Sequence, residues 1–466
     1  MSIFGSFEIG RKALRVQHKG MEVSGQNVAN ANTPGYSRQR ADMEAVPPPI
    51  VSGPNQAPGR GVIITDIIRV RSEFYHAQVV STGSHKAYWE MRQEVFQGTE
   101  AVFMEPDDYG INRYLNDFFD TWQELSSSPE EFSVRSSLRE NAVSMARAFE
   151  DTYLRLEDLR LDLSDELYMR VDEVNRMADA IAELNEKIRF SSVMQRRSNE
   201  LMDQLDLAIE DLAKLVDIRV DYKANGTVEV FAGNRMLIQE DRAFHLSVQA
   251  GGEDGGLEVV SHRGLPLKMT IGRVTGLLDA VNKDIPNLQD ELNTIVYTLV
   301  TEVNELHRAG FGLGKEDDGH NFFQPIADSD LPAALQFRVD DTIMEDTAFI
   351  AAAAAVSEPG NGEMALEIAR LRDFREEGRL NGASISEYYR AVITSMGVEA
   401  QESERMVEVF GKTLSQVVEL HQSISGVNLD EEMLNMVQFQ HSWHAAARYL
   451  NFVDQMLSML FTELGR

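Results

Sequence analysis

The sequence predicts a mainly α-helical chain with a small β insertion: paired N- and C-terminal coiled-coil helices, a long-helix middle domain and a short β-rich outer domain. Three patterns predict it. Apolar or small residues recur in alternating steps of four and three at both ends, helical periodicity fills most of residues 84–216, and between 216 and 270 the period drops to two. The expected division is residues 1–40 with 426–466 as a terminal coiled-coil domain, 41–215 with 271–425 as the middle domain, and 216–270 as the outer domain.

The N-terminal stripe runs Ile3, Phe7, Gly10, Leu14, Met21 and Val28, interrupted by Gln17 and Ser24. So narrow a seam packs against one other helix rather than on a broad core. It stops at Asn30-Ala31-Asn32-Thr33-Pro34-Gly35-Tyr36, because the residue before proline is driven out of the helical region and Pro-Gly fits the centre of a type II turn. An extended stretch rich in proline and glycine follows (Pro47, Pro48, Pro49, Gly53, Pro54, Pro58, Gly59, Gly61), then GVIITDIIRV, a short strand.

From about Ser84 to Val216 the pattern is helical, punctuated by Pro106 and Pro129, and residues 131–190 read as one long coiled-coil-like helix. Two alternating runs joined by Asn225-Gly226 then form a hairpin, and FHLSVQA and LEVVSH add further strands around the glycine-rich GGEDGG. Helical pattern returns at about Thr275, gives way to loops over 310–345, and dominates from Ser384 to the end.

The last helix mirrors the first. Its steps pick out Leu429, Met433, Met436, Gln440, Trp443, Ala447, Leu450, Asp454, Leu457, Phe461 and Leu464, with a second stripe of Phe439, Ala446, Val453 and Leu460 beside them. Burying each large side chain is worth about 1.5–3 kcal/mol, so such a face must be covered. Pairing the two chain ends covers it, and this arrangement puts the β insertion at the far tip.

Composition narrows the function. Acidic residues outnumber basic ones 75 to 44, giving a formal charge of −31, which repels phosphate backbones and anionic lipid and argues against nucleic acid and membrane partners. With no cysteine, disulfides, thiolate metal sites and cysteine nucleophiles are excluded. The N-terminus lacks the apolar core and cleavage site of a secretory leader, and no apolar run reaches the ~18 residues of a membrane span.

Catalytic and ligand motifs are equally sparse. Gly310, Gly312, Gly314 and Lys315 lack the spacing and the Ser or Thr of a phosphate loop, and Asp317, Asp318 and His320 lack calcium-loop spacing. His441 and His444 stand three apart without a recognisable third ligand. No GxSxG or HExxH occurs, and the 20 methionines sit mainly at seam positions as core filler. The reading is a structural protein without enzyme activity, cofactor or metal.

Residues 25–40, GQNVANANTPGYSRQR, resemble the N-terminal signature of the flagellar axial proteins, the rod, hook and hook-associated subunits. The residues that carry it are Asn27, Asn30, Asn32, Thr33, Pro34, Gly35, Tyr36 and Arg38, and SGVNLDEEMLNMVQFQHSWHAAARYLNFVDQMLSML (425–460) resembles the shared C-terminal helix. IAELNEKI (181–188), residues 199–220 and the segment Leu288–Gly314 look like the first hook-associated protein family, the hook–filament junction proteins of the FlgK family. Leu205, where arginine is usual, and Trp443 with its two histidine neighbours depart from the pattern.

The resemblance implies a subunit exported through the flagellar type III apparatus by an uncleaved signal and located outside the cell at the hook–filament junction. Its implied partners are further copies of itself, the hook protein, the second junction protein and flagellin side, the filament cap, and a dedicated export chaperone on the C-terminal helix. The alternative within the superfamily is a hook or distal-rod subunit, whose bulk lies in β-domains.

Overall fold

The computed structural model describes residues 3–47, 59–104, 110–194, 198–251, 255–313, 319–327, 331–375 and 378–464. Pro48, Pro49, Gly53, Pro54, Pro58, Pro106, Gly314, Lys315, Asp317 and Asp318 lie outside the described residues, as do the side chains of Ile3, Phe461 and Leu464.

The chain begins with α1 (Ile3–Ala29), followed by the antiparallel ribbon of β1 (Gln39–Ala45) and β2 (Val62–Arg69). The body is built on α2 (Glu73–Phe103), α3 (Ile111–Ser127), α4 (Phe132–Val193) and α5 (Asn199–Leu215). Next come β3 (Ile218–Tyr222), β4 (Val228–Ala232), β5 (Arg235–Gln239) and β6 (Arg242–Ala243) in one sheet, and β7 (Ser247–Ala250) paired with β8 (Leu257–Val260). The return runs through α6 (Arg273–Asp279), a π-helical turn (Ala280–Asp284), α7 (Ile285–Ala309), the short α8 (Ala333–Gln336) and α9 (Asp341–Glu345), and α10 (Glu363–Arg370). It ends with α11 (Ile385–Ser425) and α12 (Leu429–Leu464).

The axis of the body is α4, 62 residues and so about 93 Å long. Its buried side, including Leu138, Phe149, Leu156, Leu163, Leu167, Val171, Val174, Ala178 and Ile181, belongs to one continuous core shared with α2, α3, α5, α7 and the sheets. α2 and α11 lie side by side and antiparallel, since His76 meets His421, His85 stacks on Phe410 and Arg92 reaches Glu399. A capping box of Ser384 and Glu387 starts α11, satisfying backbone donors that the helix would otherwise leave open.

Contrary to the sequence-based expectation, the β insertion does not occupy the far tip. Asn185 of α4 donates to the Val228 carbonyl and accepts from its N–H, and Asn175 does the same with Leu246. These two asparagines fix the sheets to the C-terminal half of α4, and Tyr222 of β3 accepts from Arg71 at the start of α2. Val228, Val230, Leu237 and Ile238 join the common core instead of enclosing one of their own.

The tip is formed by α3 and residues 319–327 and 331–375 around the N-terminal half of α4. Phe118, Trp122, Phe322, Phe323 and Phe337 pack there in edge-to-face and tilted contacts, the closest centroids being 4.8 Å apart. Beneath them His307 is fully buried: its Nδ1 donates to the His320 carbonyl at 2.8 Å and its Nε2 accepts from the Ala351 N–H at 2.9 Å. Arg135, also buried, donates to the carbonyls of Pro129, Thr347 and Ile350.

Burial lowers the His307 imidazole to about 4. A group kept neutral by folding contributes its stabilisation in full above the unfolded value near 6.5 and loses it as pH falls toward 4. Denaturant unfolding between pH 7 and 4 should therefore show a loss of about 3 kcal/mol traceable to this residue. His307→Gln should lower stability at pH 7 and flatten that part of the profile; an unchanged profile would refute the assignment.

Candidate assembly site: the terminal helix pair and its base

Along its length α1 packs against α12, β1 and β2. Glycines make the approach to α12 close. A Cβ on Gly10 would stand 2.8 Å from Leu450, and one on Gly20 would stand 2.8 Å from the Phe439 ring. Glycine inside a helix costs roughly 0.5–1 kcal/mol relative to alanine, and here that cost is offset by the large side chains it lets in.

The seam differs in part from the sequence-based one. On α1 the buried positions are Gly10, Val16, Gly20, Val23, Ser24 and Asn27. Gly10 belongs to the expected stripe and Ser24 is one of the residues that interrupt it, whereas Leu14, Met21 and Val28 are only half-buried and Phe7 is exposed. The cause is the second neighbour: the ribbon of β1 and β2 covers α1 on one side, which moves the centre of burial about one residue earlier.

On α12 the covered positions are Phe439, Trp443, Ala446, Ala447, Leu450, Val453 and Leu457, joining half of the first expected stripe to most of the second. Leu429, Met433 and Met436 are exposed. The side turned away from α1 carries Leu434, Val437, Phe452 and Met459, of which Leu434, Phe452 and Met459 are 65%, 60% and 63% exposed. Between Met433 and Thr462 the only charged residues are Arg448 and Asp454. His441 and His444 are exposed on this helix, and among the described residues no group of three or more His, Asp or Glu is placed to hold a metal ion.

The turn after α1 forms the base. Asn27 is the key residue: its amide donates to the Gln39 carbonyl at 2.8 Å and accepts from the Gln39 N–H and the Tyr36 hydroxyl, both at 2.9 Å. Asn30 donates to the Gln26 carbonyl and accepts from the Thr33 hydroxyl, closing the helix end. Asn32, Thr33 and Pro34 are exposed, and Gly35 has φ of +76°, a left-handed conformation that glycine adopts without strain. Burial pushes the Tyr36 hydroxyl well above its ordinary value.

Arg38 ties the base to the other end of the chain. Its N–H donates to the Ser425 carbonyl, and its guanidinium donates to Glu432 and Glu431, both at 2.8 Å, in the first turn of α12. Acidic groups there also complement the helix dipole.

Beneath the turn lies an ionic cluster that sequence reading missed. Arg69 bridges Asp203 and Asp206 at 2.9 Å, Arg71 meets Asp206 at 3.1 Å, and His76 Nδ1 stands 3.2 Å from Glu210. Burial raises the Asp203 carboxyl against the pull of Arg69, and burial followed by the nearby His76 lowers the His421 imidazole. Ser37 donates its N–H to Asp203, so the cluster joins the turn, β2, α2 and α5. No local motif signals it, because its members are spread from residue 69 to residue 421 and only the fold brings them together.

Among the described residues no helix is long and apolar enough to cross a membrane. The arrangement is a binding surface: a paired helical stalk with a large outward apolar face, fixed to the body through a polar base.

Comparisons with known proteins agree with this geometry. Residues 96–323 match the family described as the flagellar hook-associated protein FlgK helical domain, and residues 421–462 match the flagellar basal body rod FlgEFG protein C-terminal family. The chain is similar to flagellar hook-associated protein 1 of Bacillus subtilis (strain 168), at 28% identity over 504 residues covering 100% of this chain and 99% of the relative. The corresponding protein of Escherichia coli (strain K12) is 21% identical, covering 96% and 97%. The solved structure of the flagellar hook junction protein FlgK from Burkholderia pseudomallei has the same fold, with a TM-score of 0.64, 14% identity, and coverage of 75% of this chain and 100% of that one.

Replacing Asn27 by Ala leaves the Gln39 N–H and carbonyl without partners in a buried setting, each orphan costing about 1–3 kcal/mol. Hydrogen exchange should show loss of protection over residues 3–45 while the melting temperature of the body stays put. Retained protection would show that Asn27 does not hold the base.

Proposed function

We propose that this chain, which belongs to the family of the flagellar hook-associated protein FlgK, is the structural subunit of the bacterial flagellum that joins hook to filament. One observation carries the reading: the two chain ends pair through a glycine-bearing seam and still leave large apolar side chains facing outward along α12. A contiguous exposed apolar face is a partner surface, and each terminal helix is too narrow to have a core of its own. Packing such stalks against one another buries these faces in a tube, a coupled ordering and binding.

In this reading the terminal helices pack against further copies and against the hook protein below. The second junction protein and flagellin lie on the filament side, and the filament cap covers the growing end. Before assembly, the outward face of α12 is the surface an export chaperone would cover. The chain reaches its place outside the cell by flagellar export, and its role is mechanical rather than catalytic. The hook or distal-rod alternative draws on the C-terminal match alone, a helix those subunits share, whereas the body between the ends is predominantly helical.

Deleting residues 430–466 should leave a folded monomeric body that no longer incorporates between hook and filament, scored by motility and by filament monomers shed into the medium. Phe452→Glu should lower incorporation at least tenfold with no change in body stability, and Leu450→Asp or Leu457→Asp should do the same by opening the stalk. The same charge on an exposed position of the β insertion, such as Leu265→Asp, should have little effect. Equal loss at all four positions would sink the stalk reading.

A further inference from the structure

Between α2, α5 and the end of α11, beside the turn after α1, lies a cavity of about 160 Å³. Exposed Gly35 and Gln422 are among its lining residues, so solvent reaches it. Four buried atoms of other lining residues have no hydrogen-bond partner: Arg71 Nε, His76 Nε2, Asp206 Oδ1 and His421 Nε2. Buried polar groups are ordinarily paired, so four orphans around one cavity need a reason.

Two of the four belong to imidazoles that face each other across the α2–α11 contact, with ring centroids 6.0 Å apart. His76 Nδ1 stands 3.2 Å from Glu210 and its Nε2 3.8 Å from Asp206, both on α5. Arg69 and Arg71 approach from the end of β2 and the segment after it, Asp203 from α5, Tyr36 from the turn and Tyr222 from β3. Two guanidinium groups thus face three carboxylates. One proton on the imidazole pair balances the excess carboxylate, and a second places surplus positive charge in a contact shielded from water, where charges act strongly on one another. Folding accordingly lowers the His421 imidazole, first by burial and then by the nearby His76. A group kept neutral in this way stabilises its contact in full above its unfolded value near 6.5, and ceases to do so as pH falls through its lower folded value.

His421 is joined to the stalk in two steps. Its carbonyl accepts from the Ser425 hydroxyl at 2.7 Å, and the Ser425 carbonyl accepts from the Arg38 N–H at 2.8 Å. Arg38 in turn holds Glu431 and Glu432 in the first turn of α12. A shift of the last turn of α11 therefore reaches the base of the stalk without passing through the core along α4.

We propose that His76 and His421 form an acid-released latch on the stalk. Carrying one proton or none between them, they hold the base closed; with both rings charged, they part α11 from α2 and free the stalk from its set direction while the body stays folded. The latch lies within one chain, so its failure leaves the assembly reading standing.

Hydrogen exchange on the full chain tests it. Between about pH 7.5 and about pH 5.5, corrected for the intrinsic pH dependence of exchange, protection over α1 and α12 should fall about tenfold while that of α4 holds. Equal stalk protection at the two pH values in the unmodified chain overturns the latch. His421→Gln, which cannot take the charge, should keep the stalk protected at both. The other histidines on α1, α2, α11 and α12 are His18, His85, His441 and His444. A fall that persists unchanged in His421→Gln belongs to them and refutes the proposal. Conversely, a chain with those four replaced by Gln should keep the whole response, and its disappearance there is equally fatal to the latch.

Discussion

The first and last helices of this chain have apolar faces too large to remain in water and too narrow to form a core alone, and the rest of the structure depends on that constraint. The body between them exists as a helical bundle with a continuous interior, from the aromatic cluster at the tip to the sheets beside α5. The stalk has no such interior. Its stability comes from one line of contact, in which Gly10 and Gly20 let Leu450 and Phe439 sit close to the α1 backbone. A single seam of this kind is marginal by itself, as isolated helices and helix pairs are in general. Completion by other flagellar components is the natural consequence.

Charge is divided along the same line. Residues 1–40 carry a basic excess and residues 426–466 hold two basic against five acidic residues, so the ends nearly cancel and the whole of the net negative charge falls on the body. Bodies that repel one another remain soluble at high concentration, while nearly neutral stalks can come together without a large electrostatic penalty.

The fold was legible where periodicity is strong. The 131–190 run corresponds to α4, the Asn225-Gly226 hairpin to the turn between β3 and β4, and the stop after residue 29 to the end of α1. What the pattern could not show was which side of a seam has a second neighbour. Leu14, Met21 and Val28 obey the four-and-three rule as well as the positions that are buried, and only the ribbon of β1 and β2, invisible from the helix itself, decides between them. The position of the sheets depended on Asn175 and Asn185, two polar residues in a long helix that look like ordinary surface until their backbone partners are known. The base cluster was hidden for the same reason: Arg69, His76, Asp203, Asp206 and His421 lie far apart in sequence.

That cluster also explains how a marginal stalk can be held at a defined angle to a stable body. Buried ion pairs add little net stability, because the desolvation of each charge offsets most of the attraction, but they are demanding about geometry. Asp203 must meet Arg69 and the Ser37 N–H together, and Arg38 must reach both Glu431 and Glu432 while its own N–H holds Ser425. Any other stalk direction would leave several of these charges buried without partners, at several kcal/mol. An apolar hinge of equal strength would tolerate sliding, since hydrophobic contact is non-directional. A subunit that joins hook to filament needs the directional kind, and Asn27, Tyr36 and Arg38 stand where that direction is set.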